Sequence, residues 1–503
     1  MAETENTEKT NVTNMLFGRR DIFTAVDELT EDNVIDEVNS ALVYHLMNVQ
    51  EEDYLYWYRR GFQPVLDRQK TYNDFVCNKI VVNVANEVCD FKSGYLFQDP
   101  AAYVSRKSGK KNKVDKLNEY LHRSGKQTAD NQLADWFHMV GKAALYVEPS
   151  DDPDIPLKAY SVDPRSAFVV YSLRPGNKPV FAVNIVLSGN VSFIDVYTKT
   201  KVYRLRGGST QKVMSDFKNY VCTANALDKV EPNTLGHIPI IEYRYNSVNM
   251  GAFEAVLPLL DAISDIQSNR ADGIAQFIQS IIVAVNCQFE EGTTASKIKE
   301  AGMIALSSIG ENKADFRVLS EELNQDQTQT LMDNLYEQVL RICSMPSTMK
   351  GHGSTSDNMG AVIFRDGWEQ AAASARNTED LFRESNRYFD EILVDVLRKK
   401  QILDIKPIDF ELNFVRNEVA NVQSKAQAAQ TMMAMGLAPE LALKKSGLSS
   451  DPVSDVKMSE KYLKLIWGDP DDAIKAEESG NGQGEAEVIE VDNNNGEDAE
   501  GNA

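Results

Sequence analysis

The chain reads as an α+β protein of several parts, and three observations carry that reading. Between Ala143 and Tyr243 apolar residues recur with a period of two, the mark of strands. Between Ala252 and Val285 they recur with the helical period of 3.6. After an intervening segment come a shorter helical pattern ending at Met345 before Pro346, a loop, and a long pattern from about Met359 to Lys400. With 503 residues, 42% of them hydrophobic, the chain can bury sizeable cores and is long enough for about three units.

In chain order, a polar arm precedes an amphipathic helix marked by Val34, Val38, Leu42, Leu46 and Val49, with Thr30 placed as its N-cap. An aromatic cluster follows, in which Tyr54, Tyr56, Trp57, Tyr58 and Phe62 surround Arg59 and Arg60. No basic stripe continues on either side, so it is read as packing of Arg stems over rings, with phosphate or base contact as the alternative. Phe75, Val82, Ala85, Val88 and Phe91 predict a helix closed near Gly94, and Gly125 separates two helical patterns between Val114 and His138.

Strands are predicted at 144–147, 167–171, 180–183, 192–197, 202–205 and 238–243, each rich in β-branched and aromatic residues and bounded by turns. The run from Ser150 to Asp154 has oxygen ligands for a hard cation but lacks a loop-turn glycine and a correctly spaced bidentate acid, and so reads as a solvated turn.

The long helix at 252–285 places Val256, Leu259, Leu260, Ile263, Ile266, Ile274, Phe277, Ile278 and Ile281 on one face. Glu254, Asp261, Asp265 and Asp272 form an acidic stripe opposite. Leu331, Leu335, Val339 and Ile342 mark the shorter helix beside it. Between the two, residues 286–325 read as a small α+β insertion projecting from their far tip, with Gln288, Glu290, Glu291, Glu321 and Glu322 available to a partner. The segment from Pro346 to Asn358 has no apolar periodicity and carries Lys350 and His352 among glycines. In the third helix, Gly367 and Ala371 to Ala373 predict a bend or a close helix contact. A short strand at 409–415 precedes a small helical region, whose Met432, Met433 and Met435 read as core filler.

Net charge is −22, but from Asp469 onward twelve acids stand against Lys475 alone, so −11 sits in the last 35 residues, read as a disordered tail. The mildly acidic body is not that of a basic protein coating nucleic acid, and it leaves open one that DNA passes without being gripped. Cys77, Cys89, Cys222, Cys287 and Cys343 are scattered and odd in number, which indicates neither a disulfide framework nor a zinc site. No leader and no membrane span are expected. Phosphate-loop, HExxH, GxSxG and strand-borne GxGxxG patterns are missing, and His45, His122, His138, His237 and His352 are isolated, so no catalytic, cofactor or metal residues are proposed.

The order of these elements resembles the SPP1-type portal proteins of tailed bacteriophages. The resemblance covers most of residues 30–467 and is carried by the stretch Trp57 to Gln63, the turn from Gly94 to Phe97, the segment Gly236 to Tyr243 leading into the long helix, the Gly/Ser/Thr loop and the acidic tail. It implies a portal fold assembled as a dodecameric ring. After a flexible arm (1–29) would come a wing (30–250), two stem helices (251–285 and 327–345) flanking a clip (286–326), a tunnel loop (346–358), a long wing helix (359–402), a helical crown (403–467) and the tail (468–503).

The resemblance further implies the ring at one capsid vertex of a virion, assembled in the host cytoplasm, through which double-stranded DNA is packaged and ejected. Its partners would be the terminase large subunit, a head-completion or adaptor protein, and the major capsid and scaffolding proteins. Asp261, Asp265, Asp272, Lys350 and His352 would line the tunnel, and Gln288, Glu290, Glu291, Glu321 and Glu322 would meet clip partners. The rival reading is a metal-dependent enzyme acting on nucleic acid, its carboxylates gathered in the β-rich region.

Overall fold

The structure, a computed structural model, describes residues 18–70, 76–106, 110–152, 154–188, 191–209, 222–278, 281–285, 287–288, 307–308, 315–319, 325–347, 367–414, 422–449, 452, 455–459 and 462. The chain divides into two units, residues 1–420 and 421–503.

The first unit opens with β1 (Ile22–Thr24), α1 (Val34–Arg59), α2 (Val84–Leu96), β2 (Ala102–Ser105), α3 (Lys111–Arg123) and α4 (Lys126–Val140). Strands follow: β3 (Lys142–Pro149), β4 (Leu157–Val162), β5 (Ala167–Ser172), β6 (Pro179–Ser188), β7 (Val191–Tyr197), β8 (Lys201–Ser209), β9 (Cys222–Pro232) and β10 (Ile240–Arg244). Then come α5 (Leu257–Ile278), the short strands β11 (Ile281–Val285), β12 (Cys287–Gln288), β13 (Ser307–Ser308) and β14 (Asp315–Leu319), α6 (Gln325–Ile342), α7 (Trp368–Lys399) and β15 (Phe410–Asn413).

Strand alternation decides how the layers stack. A six-stranded sheet runs β1-β5-β6-β7-β8-β9, antiparallel except that β1 joins β5 in parallel, with Ile22 opposite Val170. Phe168 and Val170 of β5 face α1, whose Val34, Val38, Leu42 and Val49 are buried against them. The intervening Ala167 and Val169 face the other way, onto Ile240 and Ala144 of a three-stranded sheet ordered β10-β3-β4 and onto Ile238 just before β10. The far side of that sheet, with Leu145, Val147, Ile241 and Tyr243, packs on α4 and α7 through Phe137, Phe382, Phe389 and Leu393. Helix, sheet, sheet and helices thus bury both faces of β5, β3 and β10, which is why these strands read as nearly continuous apolar runs.

Several sequence-based boundaries are corrected. α1 runs ten residues beyond Val49 and absorbs the aromatic cluster. There the Arg60 guanidinium lies 4.3 Å from the Tyr56 ring centre, and Arg59 pairs with Asp90 at 2.9 Å and Asp135 at 2.7 Å. Its N-cap is Asn33, with Thr30 contributing only backbone groups: its carbonyl accepts the Val34 N–H and its N–H donates to Asn33 Oδ1 at 2.7 Å. α2 starts at Val84 and continues through Gly94 to Leu96. The long helix stops at Ile278, because the β-branched run Ile281-Ile282-Val283 pairs with β14, Ile281 opposite Leu319. Ile274, assigned to the apolar face, is 50% exposed, as are Leu331 at 50% and Ile342 at 55%. Gly367 sits outside α7 as its N-cap, at φ +82°. Of the expected third helix, residues 359–366 lie outside the described residues.

At the Ser150 turn the Asp154 amide is held by the Asp152 side chain at 2.9 Å, an Asx turn. In the second unit, α8 (Val422–Ala434) and α9 (Pro439–Ser446) form a helical pair, with Gly447 at φ +65° ending α9. Met432 and Met433 are half-buried, but Met435, past the end of α8, is 75% exposed and fills no core. The acidic tail lies outside the described residues.

Candidate functional site

α5 and α6 form an antiparallel hairpin. At its root Leu260 and Ile263 of α5 pack with Val339 and Leu340 of α6 and with Cys343 just past its end. Farther out, Arg270 donates to Gln329 at 2.7 Å. The antiparallel strands β11 and β14 extend the two arms beyond the helices.

One side of α5 is covered by an extended strap, residues 76–82. Ser264, Ser268 and Asp272 stand at i, i+4 and i+8 on one face of the helix. Ser264 Oγ accepts the Val82 N–H at 3.2 Å, Ser268 Oγ accepts that of Ile80 at 3.0 Å, and Asp272 Oδ1 accepts that of Asn78 at 2.6 Å. The repeat lengths agree: four helical residues rise about 6 Å, and two extended residues span about 6.6 Å. Alternate amides of the strap therefore meet successive turns of α5. The Asp272 carboxylate, only 2% exposed, is also paired with Arg68 at 3.1 Å and Lys70 at 2.6 Å. Burial opposes its ionisation, but Lys70 and the two Asn78 N–H groups outweigh it and hold the carboxyl below the usual range.

The root is tied more firmly still. Arg19, wholly buried, pairs with Glu254 at the 3-10 turn that starts α5 and with Glu51 of α1 at 3.1 Å, and its Nη1 reaches the Val140 carbonyl at 3.4 Å. Glu254 also accepts the Gly251 N–H at 2.8 Å. Three glycines let backbones close in around the turn 246–251: a Cβ would fall 1.8 Å from Val248 O at Gly18, 2.1 Å from Asn249 O at Gly141, and 2.4 Å from Met139 O at Gly251. One helix turn out from the root, Tyr58 Oη donates to Asp261 at 2.8 Å. Burial raises the Asp261 carboxyl above its ordinary value, the Tyr58 hydrogen bond opposes this, and Asp265 adds to it.

The loop carrying Lys350 and His352 has its two flanks side by side, since a Cβ on Gly367 would lie 3.8 Å from Pro346 Cα. Trp368 fixes one flank against Phe91 and Tyr95, at ring separations of 6.2 and 6.0 Å.

A family model described as "Phage portal protein, SPP1 Gp6-like" matches residues 45–464. The chain belongs to this phage portal family. No curated protein sequence matches it. Among solved structures, the neck of an empty GTA particle computed with C6 symmetry is similar over 72% of this chain and 90% of that one, at 10% identity and a TM-score of 0.42.

In the portal chain, only part of the expected acidic stripe is open. Asp265 is exposed and Asp261 half-buried, whereas Glu254 and Asp272 are buried in ion pairs supplied by Arg19 and by Arg68 with Lys70. This corrects the placement of Asp272 as a tunnel-facing acid: its charge is spent inside the chain. Lys350, His352, Glu290, Glu291, Glu321 and Glu322 lie outside the described residues, and of Gln288 only the backbone position in β12 is described. Among the described residues no group of three or more His, Cys, Asp or Glu is placed to hold a metal, and no helix is long and apolar enough to cross a membrane.

The i, i+4, i+8 spacing of Ser264, Ser268 and Asp272 was the one sequence signal of the strap. Asp272→Asn is expected to cost about 2 kcal/mol by losing both cations. Because the native carboxyl is depressed, this stabilisation is complete above the ordinary carboxylate range and fades as pH falls through the native value. Hydrogen exchange checks it: the Asn78 and Ile80 amides should exchange faster in the variant at neutral pH, with the difference shrinking in acid.

Proposed function

We propose that this chain forms the portal ring at one vertex of a phage head, the passage through which double-stranded DNA is packaged and later ejected. The observation that carries this reading is the family match over residues 45–464 of 503. In this reading the two-sheet body with α1 and α7 is the wing, α5 and α6 the stem, and the strand-bearing excursion between them the clip. Residues 346–358 form the tunnel loop, and the region from 403 to 467 forms the crown. The ring is a dodecamer assembled in the host cytoplasm with scaffolding and major capsid proteins. Its clip docks the terminase large subunit during packaging and a head-completion protein afterwards. ATP hydrolysis belongs to the terminase, and the portal itself is not an enzyme.

A closed ring repeats each side chain about its axis, so the exposed Asp265 and half-buried Asp261 become stacked acidic rings if their face lines the bore. Negative walls repel phosphates and keep DNA from sticking as it passes. Lys350, on a loop whose flanks are pinned at Pro346 and Gly367, offers the counter-charge that touches DNA lightly.

The test is cross-linking in assembled particles. Asp265→Cys and Lys350→Cys, each carrying a thiol-attached photocrosslinker, are expected to form DNA adducts in filled heads and none in empty ones. Filled heads without adducts at either position would contradict the assignment of the bore.

A further inference from the structure

One buried carboxylate, Glu52, has no part in the portal reading. Glu52 lies on α1, 3% exposed, and its Oε2 has no hydrogen-bonding partner among the described residues. It borders a small cavity of about 10 Å³ where α1 meets the segment before β1 and strands β3, β5 and β10. The polar lining is Arg20, His45, Asn48, Glu52, Lys142 and Glu242.

The surrounding cations are already taken. Arg19 serves Glu51 and Glu254, and Arg20 also serves Glu51. Lys142 serves Asp21 at 2.8 Å and Glu242 at 3.6 Å, Arg165 serves Asp53 and Asp163, and Arg244 serves Asp21. Among the described residues, five cations thus pair with six other carboxylates, and Glu52 is the surplus acid. His45 cannot help, because its Nε2 lies 2.9 Å from the Arg165 carbonyl and must donate there, while burial pushes its pKa down to about 4 and keeps the ring neutral.

A buried, unpaired carboxylate is costly, and two responses reduce that cost: taking a proton, or holding a water. A cavity of this volume is at the threshold for one water and too small for two. Water suits the position better than a fixed side-chain donor would. It can donate to a carboxylate oxygen and accept from a carboxyl O–H, so it satisfies Glu52 in both states.

We infer that this cavity is a binding site for a single water held by Glu52, and that Glu52 binds a proton from solvent there, making the seating of α1 on the sheets proton-linked. Burial is the main cause that raises the Glu52 pKa, to about 7, against the opposing pull of Arg19 and Lys142; the Asp163 charge adds to the rise and Arg165 opposes it. With the folded value above the unfolded one, the stabilisation from Glu52 is complete below the unfolded carboxyl pKa and is lost as pH rises through about 7.

The test compares wild-type full-length protein with Glu52→Gln at one fixed concentration, following denaturant unfolding from pH 5 to 8. The ratio of unfolding constants, wild type over E52Q, is expected to rise at least tenfold across that range. Comparing the two cancels the titration of every other group. Glu52→Leu, neutral and of similar bulk, should also lack the slope and replaces E52Q if that variant does not fold. Parallel pH profiles for wild type and the folded variant would overturn the proton linkage. A crystal structure of the wild type decides the water: density within hydrogen-bonding distance of Glu52 Oε2 supports the site, and none there overturns it.

Discussion

Arg19→Met is expected to destabilise the protein by about 3–5 kcal/mol, read as a lower denaturant midpoint for the first unit. The substitution leaves bulk in place but strands the Glu254 carboxylate, which is 0% exposed, and takes away a partner of Glu51. Removing one member of a buried pair costs far more than the net worth of the pair, because the remaining charge keeps its full desolvation penalty. Two companion measurements separate this from simple loss of packing. Adding Glu254→Gln to the variant should recover part of the loss, since no buried charge is then left alone. The single variant should also regain stability as pH falls, because Glu254, already raised by burial and now without Arg19, takes up a proton more readily folded than unfolded. An equal loss at every pH would mean that Arg19 acts as a spacer.

Gly141→Ala should cost a similar amount for a different reason. Gly141 ends α4 at φ +91°, and an added Cβ would lie 2.1 Å from the Asn249 carbonyl oxygen and 2.5 Å from its carbon, both of them backbone atoms. The left-handed conformation alone costs an alanine about 1–2 kcal/mol. The clash then forces apart the β10–α5 connection, for a total of about 3 kcal/mol or more. Gly176→Ala provides the control, having φ +98° with nothing within 4 Å of its Cβ, and should show the conformational cost alone. Equal losses at the two positions would show that the close approach at Asn249 is relieved without cost.

These two sites also show what the sequence could and could not reveal. The strands of the body were legible because burial between layers fills them with β-branched and aromatic residues bounded by turns, and Gly125 between α3 and α4 was legible as a break. β9 was missed: it carries Thr, Asn, Asp and Lys at exposed edge positions, so its pairing with β8 leaves little apolar signal. The end of α5 was misread because Ile281 continues the helical apolar face, while the partner that turns it into strand lies more than thirty residues away at Leu319.

Among the acids the difficulty was deeper. Asp265 and Asp272 are equivalent by helical spacing, yet one is exposed and the other is enclosed by Arg68, Lys70 and Asn78, some two hundred residues upstream. Charge on a helix face does not say whether water or another segment covers it. The same holds for Arg19, which lies in an unremarkable Gly-Arg-Arg stretch and whose role depends on Glu51 and Glu254 converging on it.

The central claim, that this chain closes into a DNA-conducting ring with the α5–α6 hairpin around its bore, is tested most directly by electron microscopy of the purified full-length protein. Ring particles of twelvefold symmetry are expected, with a central channel wide enough for duplex DNA, Asp265 on its wall, and Asp272 turned inward beneath the strap. Closed rings in which the hairpin stands away from the channel, or particles without a through-going channel at concentrations that support head assembly, would contradict it.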